Sequence, residues 1–161
     1  MTLIDLASAP HHLPQLAAWH HAEWAHLNPG RSREELAAQM QEYLAATPLP
    51  RMFIAEADGR LLGSAALVAG DMDSHPELGP WLANVYVDAA QRGQGLGRLL
   101  VRAVMDHARA LGLPRIYLFT PDQAAFYAAL GWTPVLTEAF HGETVTVMRH
   151  DFAPLPETSA E

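Results

Sequence analysis

Cysteine is absent from the chain. That excludes disulfides, thiolate metal sites and a cysteine nucleophile. Long apolar runs are absent too. No stretch approaches the ~20 residues that a membrane helix needs, and no basic segment followed by an apolar run opens the sequence. The expectation is a cytoplasmic protein with no membrane partner. Positive charge is scarce: 10 Lys and Arg stand against 18 Asp and Glu, a formal net charge of −8. A polyanion would be repelled, so nucleic acid is not an expected partner, whereas a cationic molecule is compatible. No repeat, linker or second core is visible in the 161 residues, of which 50% are hydrophobic. We expect one domain over residues 1–152, a disordered low-hydrophobicity tail over 153–161, and a monomer or homodimer.

What the chain does have is concentrated between Asn84 and Leu100. An apolar, β-branched strand ending Val85-Tyr86-Val87 runs into a turn rich in Gly and Arg, and an apolar-periodic helix comes next. Glycines let backbone approach a ligand closely, and amide N–H groups at a helix N-terminus form an anion site. Arg92 and Arg98 bracket the turn and can add charge-assisted hydrogen bonds to phosphate oxygens. The physical reading is a strand, phosphate loop and helix that hold a pyrophosphate. A Walker A loop is excluded, because Gly97 is followed by Arg98-Leu99 and not Lys-Ser/Thr. A dinucleotide fingerprint is excluded by the spacing of Gly93-Gln94-Gly95-Leu96-Gly97 and by a next strand that ends Phe119-Thr120-Pro121 with no acid.

Arg92-Gly93-Gln94-Gly95-Leu96-Gly97, after a strand ending Val-x-Val, resembles the acetyl-CoA loop of the GCN5-related N-acetyltransferases. A second motif lies downstream. Phe126-Tyr127-Ala128-Ala129-Leu130-Gly131-Trp132 is similar to that family's helix ending Phe-Tyr-x-x-x-Gly-Phe/Trp. Read from the residues, Asp122 is the expected N-cap of this helix, Phe126 and Leu130 share a face, and Gly131 stops it. The two motifs cover Trp81 to Trp132. They imply an α/β (α+β) chain with a mixed central sheet of about seven strands flanked by four helices, the acyl-CoA N-acyltransferase fold.

The rest of the sequence agrees with that order. Thr2–Leu6 is a weak first strand. Leu13, Leu16, Ala17, His20, Trp24 and Leu27 recur at helical spacing. Ser32-Arg33-Glu34-Glu35 is a capping box that opens a second helix bearing Leu36, Met40, Tyr43 and Leu44. Arg51–Ala57 and Arg60–Ala69 read as strands joined by Asp58-Gly59, a strong two-residue hairpin signal. Gly70–Pro80 is a polar loop. Leu96–Leu111 is the longest helix, Leu113–Phe119 a strand, and Thr133–Phe140 and Glu143–Arg149 a last hairpin turning at His141-Gly142.

The resemblance implies roles. Acetyl-CoA would be the co-substrate, with its pantetheine arm along Val85, Tyr86 and Val87. Its pyrophosphate would lie on Arg92, Gly93, Gln94, Gly95, Leu96, Gly97 and Arg98, with Gln123, Phe126 and Tyr127 completing the site. Tyr127 would protonate the leaving thiolate, general acid catalysis being worth about 10²–10⁴-fold. A backbone N–H near Val85 would polarise the thioester carbonyl.

The general base is open. Some members carry Glu or His on the cofactor strand nine or eleven residues before the loop, but here those positions are Ala83 and Trp81. Either water relays the proton, or Asp73, His75, Glu77, His141 or Glu143 reaches in, with Glu77 preferred. Trp24, Trp81, Asn84 and His141 are the acceptor-site candidates. Trp19, His20 and Glu23 are further residues of the first helix that would suit a cationic amine, although core packing also explains Trp24. The loop acids Asp71, Asp73 and Glu77 point the same way.

Nine histidines include the adjacent pairs His11-His12 and His20-His21, which face different ways on a helix. No metal is expected. The expected activity is transfer of an acetyl group from acetyl-CoA directly to a primary amine of a small molecule, peptide or protein. The alternatives are a silent acetyl-CoA sensor, and an acyltransferase that uses another acyl-CoA or a hydroxyl acceptor.

Overall fold

Leu61 to Val68 is nearly continuous in apolar residues, and it forms the middle of the sheet. In the computed structural model, which describes residues 1–153, β3 (Arg60–Val68) is buried from Leu61 onward. It pairs antiparallel with β2 (Arg51–Ala57) on one side and β4 (Trp81–Val87) on the other. Asp58 and Gly59 both adopt positive φ, 52° and 76°, as a two-residue hairpin requires. β1 (Thr2–Asp5) adds antiparallel to β2, and β5 (Arg115–Thr120) lies parallel to β4. β7 (Glu143–Asp151) runs antiparallel to β5, and β6 (Thr133–Phe140) closes the far edge. The order is β1-β2-β3-β4-β5-β7-β6, the mixed seven-stranded sheet that the sequence led us to expect.

Alternate residues of the strands feed two apolar layers, one on each face. Ile54, Ala66, Val68 and Trp81 pack with Leu13 and Leu16 of α1 (Leu13–Trp24) and Leu36 and Met40 of α2 (Arg33–Met40). Ala55, Leu67, Leu82 and Ile116 pack with Leu96, Leu100, Val101 and Val104 of α3 (Leu96–Ala110), and with Tyr127 of α4 (Ala124–Ala128). The capping box holds: Glu35 N donates to Ser32 Oγ at 3.0 Å. Among the described residues, no helix is long and apolar enough to cross a membrane.

Two details differ from the sequence reading, and a third expectation rests on residues outside those described. The last strand runs on to Asp151, because Arg115 to Thr120 pair with Asp151 to Thr146 along their full length. α4 is not capped by Asp122. Gln123 takes the N-cap position, and its N–H donates to Thr120 Oγ1 at 3.0 Å, which frees the Asp122 carboxylate. The tail expected to be disordered lies, from residue 154 on, outside the described residues.

The sheet is irregular at β4. Opposite β3, the register passes from Ser64↔Tyr86 to Ala66↔Ala83, so β4 carries an extra residue. This bulge falls at Asn84, whose φ is 56°. On its other side β4 is in register with β5 only at Trp81↔Tyr117. The two strands therefore part from Leu82 onward.

There is little room for growth at this point. A Cβ on Gly63 would stand 2.6 Å from the Tyr86 carbonyl oxygen and 3.0 Å from Leu100 Cδ1. Gly63→Ala should destabilise the fold by about 1–3 kcal/mol in urea unfolding. An unchanged midpoint would mean that β4 shifts freely against β3.

Candidate active site

After β4 the chain makes one 3₁₀ turn at Ala89–Gln91 and crosses Arg92 to Gly95 into α3. Gly93 and Gly95 adopt φ of 81° and 80°, and a Cβ on either would meet nothing within 4 Å. The backbone is therefore bare on its open side. Gly95 caps α3 without a side-chain hydrogen bond, and the first turn contains no acid. Orphan N–H groups and the positive end of a fifteen-residue helix are thus available to an anion. A groove of about 420 Å³ opens on them, lined by Glu23, Val85, Tyr86, Val87, Gln91, Arg92, Gly93, Gly95, Leu96, Gly97, Arg98, Gln123, Phe126 and Tyr127. Arg92 Nε donates to the Val87 carbonyl at 3.0 Å, and its guanidinium lies 5.7 Å from the Tyr86 ring centroid. Two arginines, bare backbone and an uncapped helix start fit a pyrophosphate. Gln94 is the exception in this set: it stands exposed at the crest of the loop and does not line the groove.

A larger cleft of about 910 Å³ lies on the other side of the parting between β4 and β5. Glu23, Val85, Arg92, Gln123 and Tyr127 line both spaces, so the two meet there. Among the charged side chains of its wall, acids outnumber arginines: Glu23, Glu42, Asp71, Asp73, Asp122 and Glu143 against Arg31 and Arg92. His26 Nε2 and Glu143 Oε1 meet at 3.2 Å and tie the turn after α1 to the β6–β7 hairpin.

Tyr127 is buried at the junction. Burial, and then the charge of Asp122, push its hydroxyl up to about 12, so it stays protonated through the physiological range. Asp71 lies just beyond the end of β3. Its side chain is exposed to the solvent of the cleft, yet the protein around the carboxylate withholds enough water to push its pKa up to about 7. Asp71 also helps to raise Tyr43, after burial as the main cause. Asn84 Nδ2 in turn donates to the Tyr43 hydroxyl at 2.9 Å. That bond, with the contact from Ser64 Oγ to the Asn84 carbonyl at 2.8 Å, holds a backbone conformation costing a non-glycine residue about 1–2 kcal/mol.

Of the acceptor-site residues expected from sequence, Trp24, Asn84 and His141 line the cleft, as do His20, Glu23, Asp73 and Glu143. Trp81 does not. It is fully buried between Tyr117 and Phe119, and its indole N–H donates to the Leu78 carbonyl at 3.0 Å. Strand alternation turns it into the α1–α2 layer. Glu77 is not at the cleft either. It is exposed beside His75, whose other ring nitrogen pairs with Glu138 on β6, and this clamp holds the outer part of the loop away from the junction. Trp19 packs on Tyr86, with ring centroids 5.2 Å apart. Sequence reasoning missed the joining of Tyr43 to Asn84, which spans 41 residues and leaves no local signal. It also set His11 and His12 on different faces, whereas in the 3₁₀ turn before α1 their rings lie 4.1 Å apart and gather with Glu56. These form the one group of three possible metal ligands among the described residues, and it lies outside both clefts.

Residues 13–132 match the model of the acetyltransferase (GNAT) family. Glucosamine 6-phosphate N-acetyltransferase 1 of Oryza sativa subsp. japonica is 33% identical over 109 residues, covering 65% of this chain and 66% of that enzyme. Mycothiol acetyltransferase of Thermomonospora curvata is 34% identical over 86 residues, covering 51% of this chain and 27% of that one. The chain thus spans just under two-thirds and about a quarter of these curated relatives. The crystal structure of an aminoglycoside 6'-N-acetyltransferase complexed with coenzyme A shares the fold. Its TM-score is 0.71 at 18% identity, over 98% of this chain and 100% of that one.

Adding bulk and negative charge to the bare loop should remove anion binding and leave the core alone. Gly95→Glu is expected to weaken acetyl-CoA binding at least ~100-fold by calorimetry in the presence of a chelator, because the side chain is strained at positive φ and repels phosphate. Wild-type affinity in this variant would place the phosphates elsewhere.

Proposed function

The chain belongs to the acetyltransferase (GNAT) family, and we propose that it transfers the acetyl group of acetyl-CoA directly to a primary amine on a cationic acceptor. The observation that carries this reading is the meeting of an anion-binding groove and an acidic cleft at Val85 and Tyr127. A donor carrying phosphates enters one side and an amine the other. The reacting atoms then meet where β4 and β5 part.

Three groups suit the chemistry. An attacking amine drives charge onto the thioester oxygen, and the Val85 N–H, next to the bulge, is the donor to receive it. Tyr127 stays protonated and donates its proton to the departing sulfur. Asp71 replaces Glu77 as the base that takes the proton of the amine. It lines the acceptor cleft and is coupled to Tyr43, which contacts Asn84 beside Val85. A carboxyl near 7 is partly ionised at neutral pH, which suits a base working there. With six acids against two arginines on the cleft wall, a di- or polycationic amine fits better than a neutral or anionic one.

An amine panel assayed by release of free thiol tests the function. Cationic amines should be preferred, with kcat/KM falling as salt shortens the Debye length to about 8 Å. A preference for anionic acceptors, or no turnover of any amine, would contradict it. On the best acceptor, Tyr127→Phe should lower kcat by about 10- to 1,000-fold with little change in acetyl-CoA affinity. An unchanged kcat would remove Tyr127 from the mechanism.

Asp71 supplies a test with opposite signs. Its folded pKa is raised, from 3.8 to about 7, so the folded state binds the proton more tightly and its stability falls as pH rises through that value. Asp71→Asn should therefore melt higher than wild type at pH 8 and the same below the unfolded pKa. It should also lose the rise in kcat/KM near neutrality. A variant that is less stable at pH 8 and keeps the wild-type pH profile would overturn this assignment.

A further inference from the structure

Behind the bulge in β4, a chain of hydrogen bonds runs in one direction and ends on the peptide that carries the Val85 N–H. Ser64 is fully buried in β3 and donates its hydroxyl hydrogen to the Asn84 carbonyl oxygen at 2.8 Å. With that hydrogen committed, Ser64 Oγ accepts from His20 Nε2, 3.0 Å away on α1. His20 is 2% exposed. Burial, and then the charge of Arg31, lower its pKa to about 4, so the ring is neutral and carries one N–H. Nε2 holds that hydrogen, which leaves Nδ1 bare; Nδ1 is buried and has no partner among the described residues. The direction is His20 to Ser64 to Asn84, with no way to reverse it.

The carbonyl at the end of this chain shares a peptide group with the Val85 N–H. Donation into the oxygen draws electron density from the nitrogen, and successive hydrogen bonds strengthen one another by roughly 10–30% each. Asn84 and Val85 have no partner in the β3 register, and β4 meets β5 only at Trp81. This peptide therefore sits where the ladder is interrupted, and Val85 lines both clefts where they join. A pair serving packing alone would not leave a buried imidazole nitrogen unsatisfied, since an apolar side chain of similar size avoids that loss.

We propose that His20 and Ser64 are positioning residues that polarise the Asn84–Val85 peptide and so strengthen the Val85 N–H as donor to the thioester carbonyl of acetyl-CoA. This role rests on acetyl transfer as the reaction, and the two can fail separately. Ser64 is fully buried and lines neither cleft, and His20, on the wall of the larger cleft, acts on the peptide through Ser64. Their effect passes through one peptide bond, so it should be smaller than the roughly 10²–10³-fold loss on deleting an oxyanion donor outright.

The test is isotope-edited infrared spectroscopy of acetyl-CoA, labelled at the acetyl carbonyl and bound to the intact protein, together with steady-state kinetics. In the wild type the bound carbonyl should absorb at lower frequency than the free one. Ser64→Ala and His20→Phe should each lose roughly a quarter or more of that shift. They should also lower kcat about 3- to 30-fold, with the acetyl-CoA dissociation constant changed less than about twofold. His20→Gln, which keeps a donor nitrogen, should recover most of both. A wild-type carbonyl shift in Ser64→Ala would overturn the proposal, even if its melting temperature falls, because a packing role moves stability and not the carbonyl. Loss in Ser64→Ala with no recovery by His20→Gln would overturn the part given to His20. Should His20→Phe not fold, Ser64→Ala decides. No carbonyl shift in the wild type would overturn the proposal too, whereas failure to acetylate any amine would remove the acetyl-transfer reading itself.

Discussion

A backbone N–H or C=O inside a sheet must find a partner, and the chemistry of this molecule depends on the one place where β4 suspends that requirement. The bulge at Asn84 takes two residues out of the β3 ladder, and β5 departs after a single registered pair. The gap lies between two apolar layers that hold the strands rigidly on either side, so it cannot close by local adjustment. Three contacts keep it open from behind: His20 to Ser64, Ser64 to the Asn84 carbonyl, and the Asn84 amide to Tyr43. The anion-binding turn comes a few residues later in the chain, which is why donor groove and acceptor cleft share a boundary at Val85.

Charge divides the two sides of this gap. The groove presents N–H groups, Arg92 and Arg98, whereas acids outnumber arginines six to two on the wall of the cleft. In the proposed reaction this charge pattern would steer a phosphorylated donor and a cationic acceptor to opposite entrances. The same arrangement opposes folding slightly. Asp71 sits where its ionised form is disfavoured, and Asn84 adopts a backbone that few side chains accept. Both features belong to the site and not to the apolar core around Ile54, Ile116 and Leu100, which are fully buried and carry no polar side-chain atom.

Local devices are legible in the sequence. The Asp58-Gly59 and His141-Gly142 turns, the Ser32 capping box and the glycine-rich start of α3 each act over a few residues, and each is found where the residues place it. The fold comes from their order. Features that depend on which way a side chain faces are less accessible. Trp81 is expected at the acceptor site, but alternation along β4 sends it into the core. Glu77 lies close to the junction in sequence, yet the pairing of His75 with Glu138, 63 residues on, fixes it elsewhere. Asp122 has the chemistry of a cap, but the hydroxyl two residues before it, on Thr120, is a competitor invisible to a propensity argument. The Tyr43–Asn84 and His20–Ser64 contacts join elements 41 and 44 residues apart, and only the assembled sheet brings them together.

The peptide N–H of Val85 and the hydroxyl of Tyr127 are the two groups on which the proposed handling of the thioester turns. A crystal structure of the acetyl-CoA complex measures both directly. The Val85 nitrogen should lie about 3 Å from the thioester oxygen and the Tyr127 hydroxyl within hydrogen-bonding reach of the sulfur, with the acetyl group facing the acidic cleft. A thioester carbonyl turned away from β4, or an acetyl group seated outside the parting of β4 and β5, would contradict it.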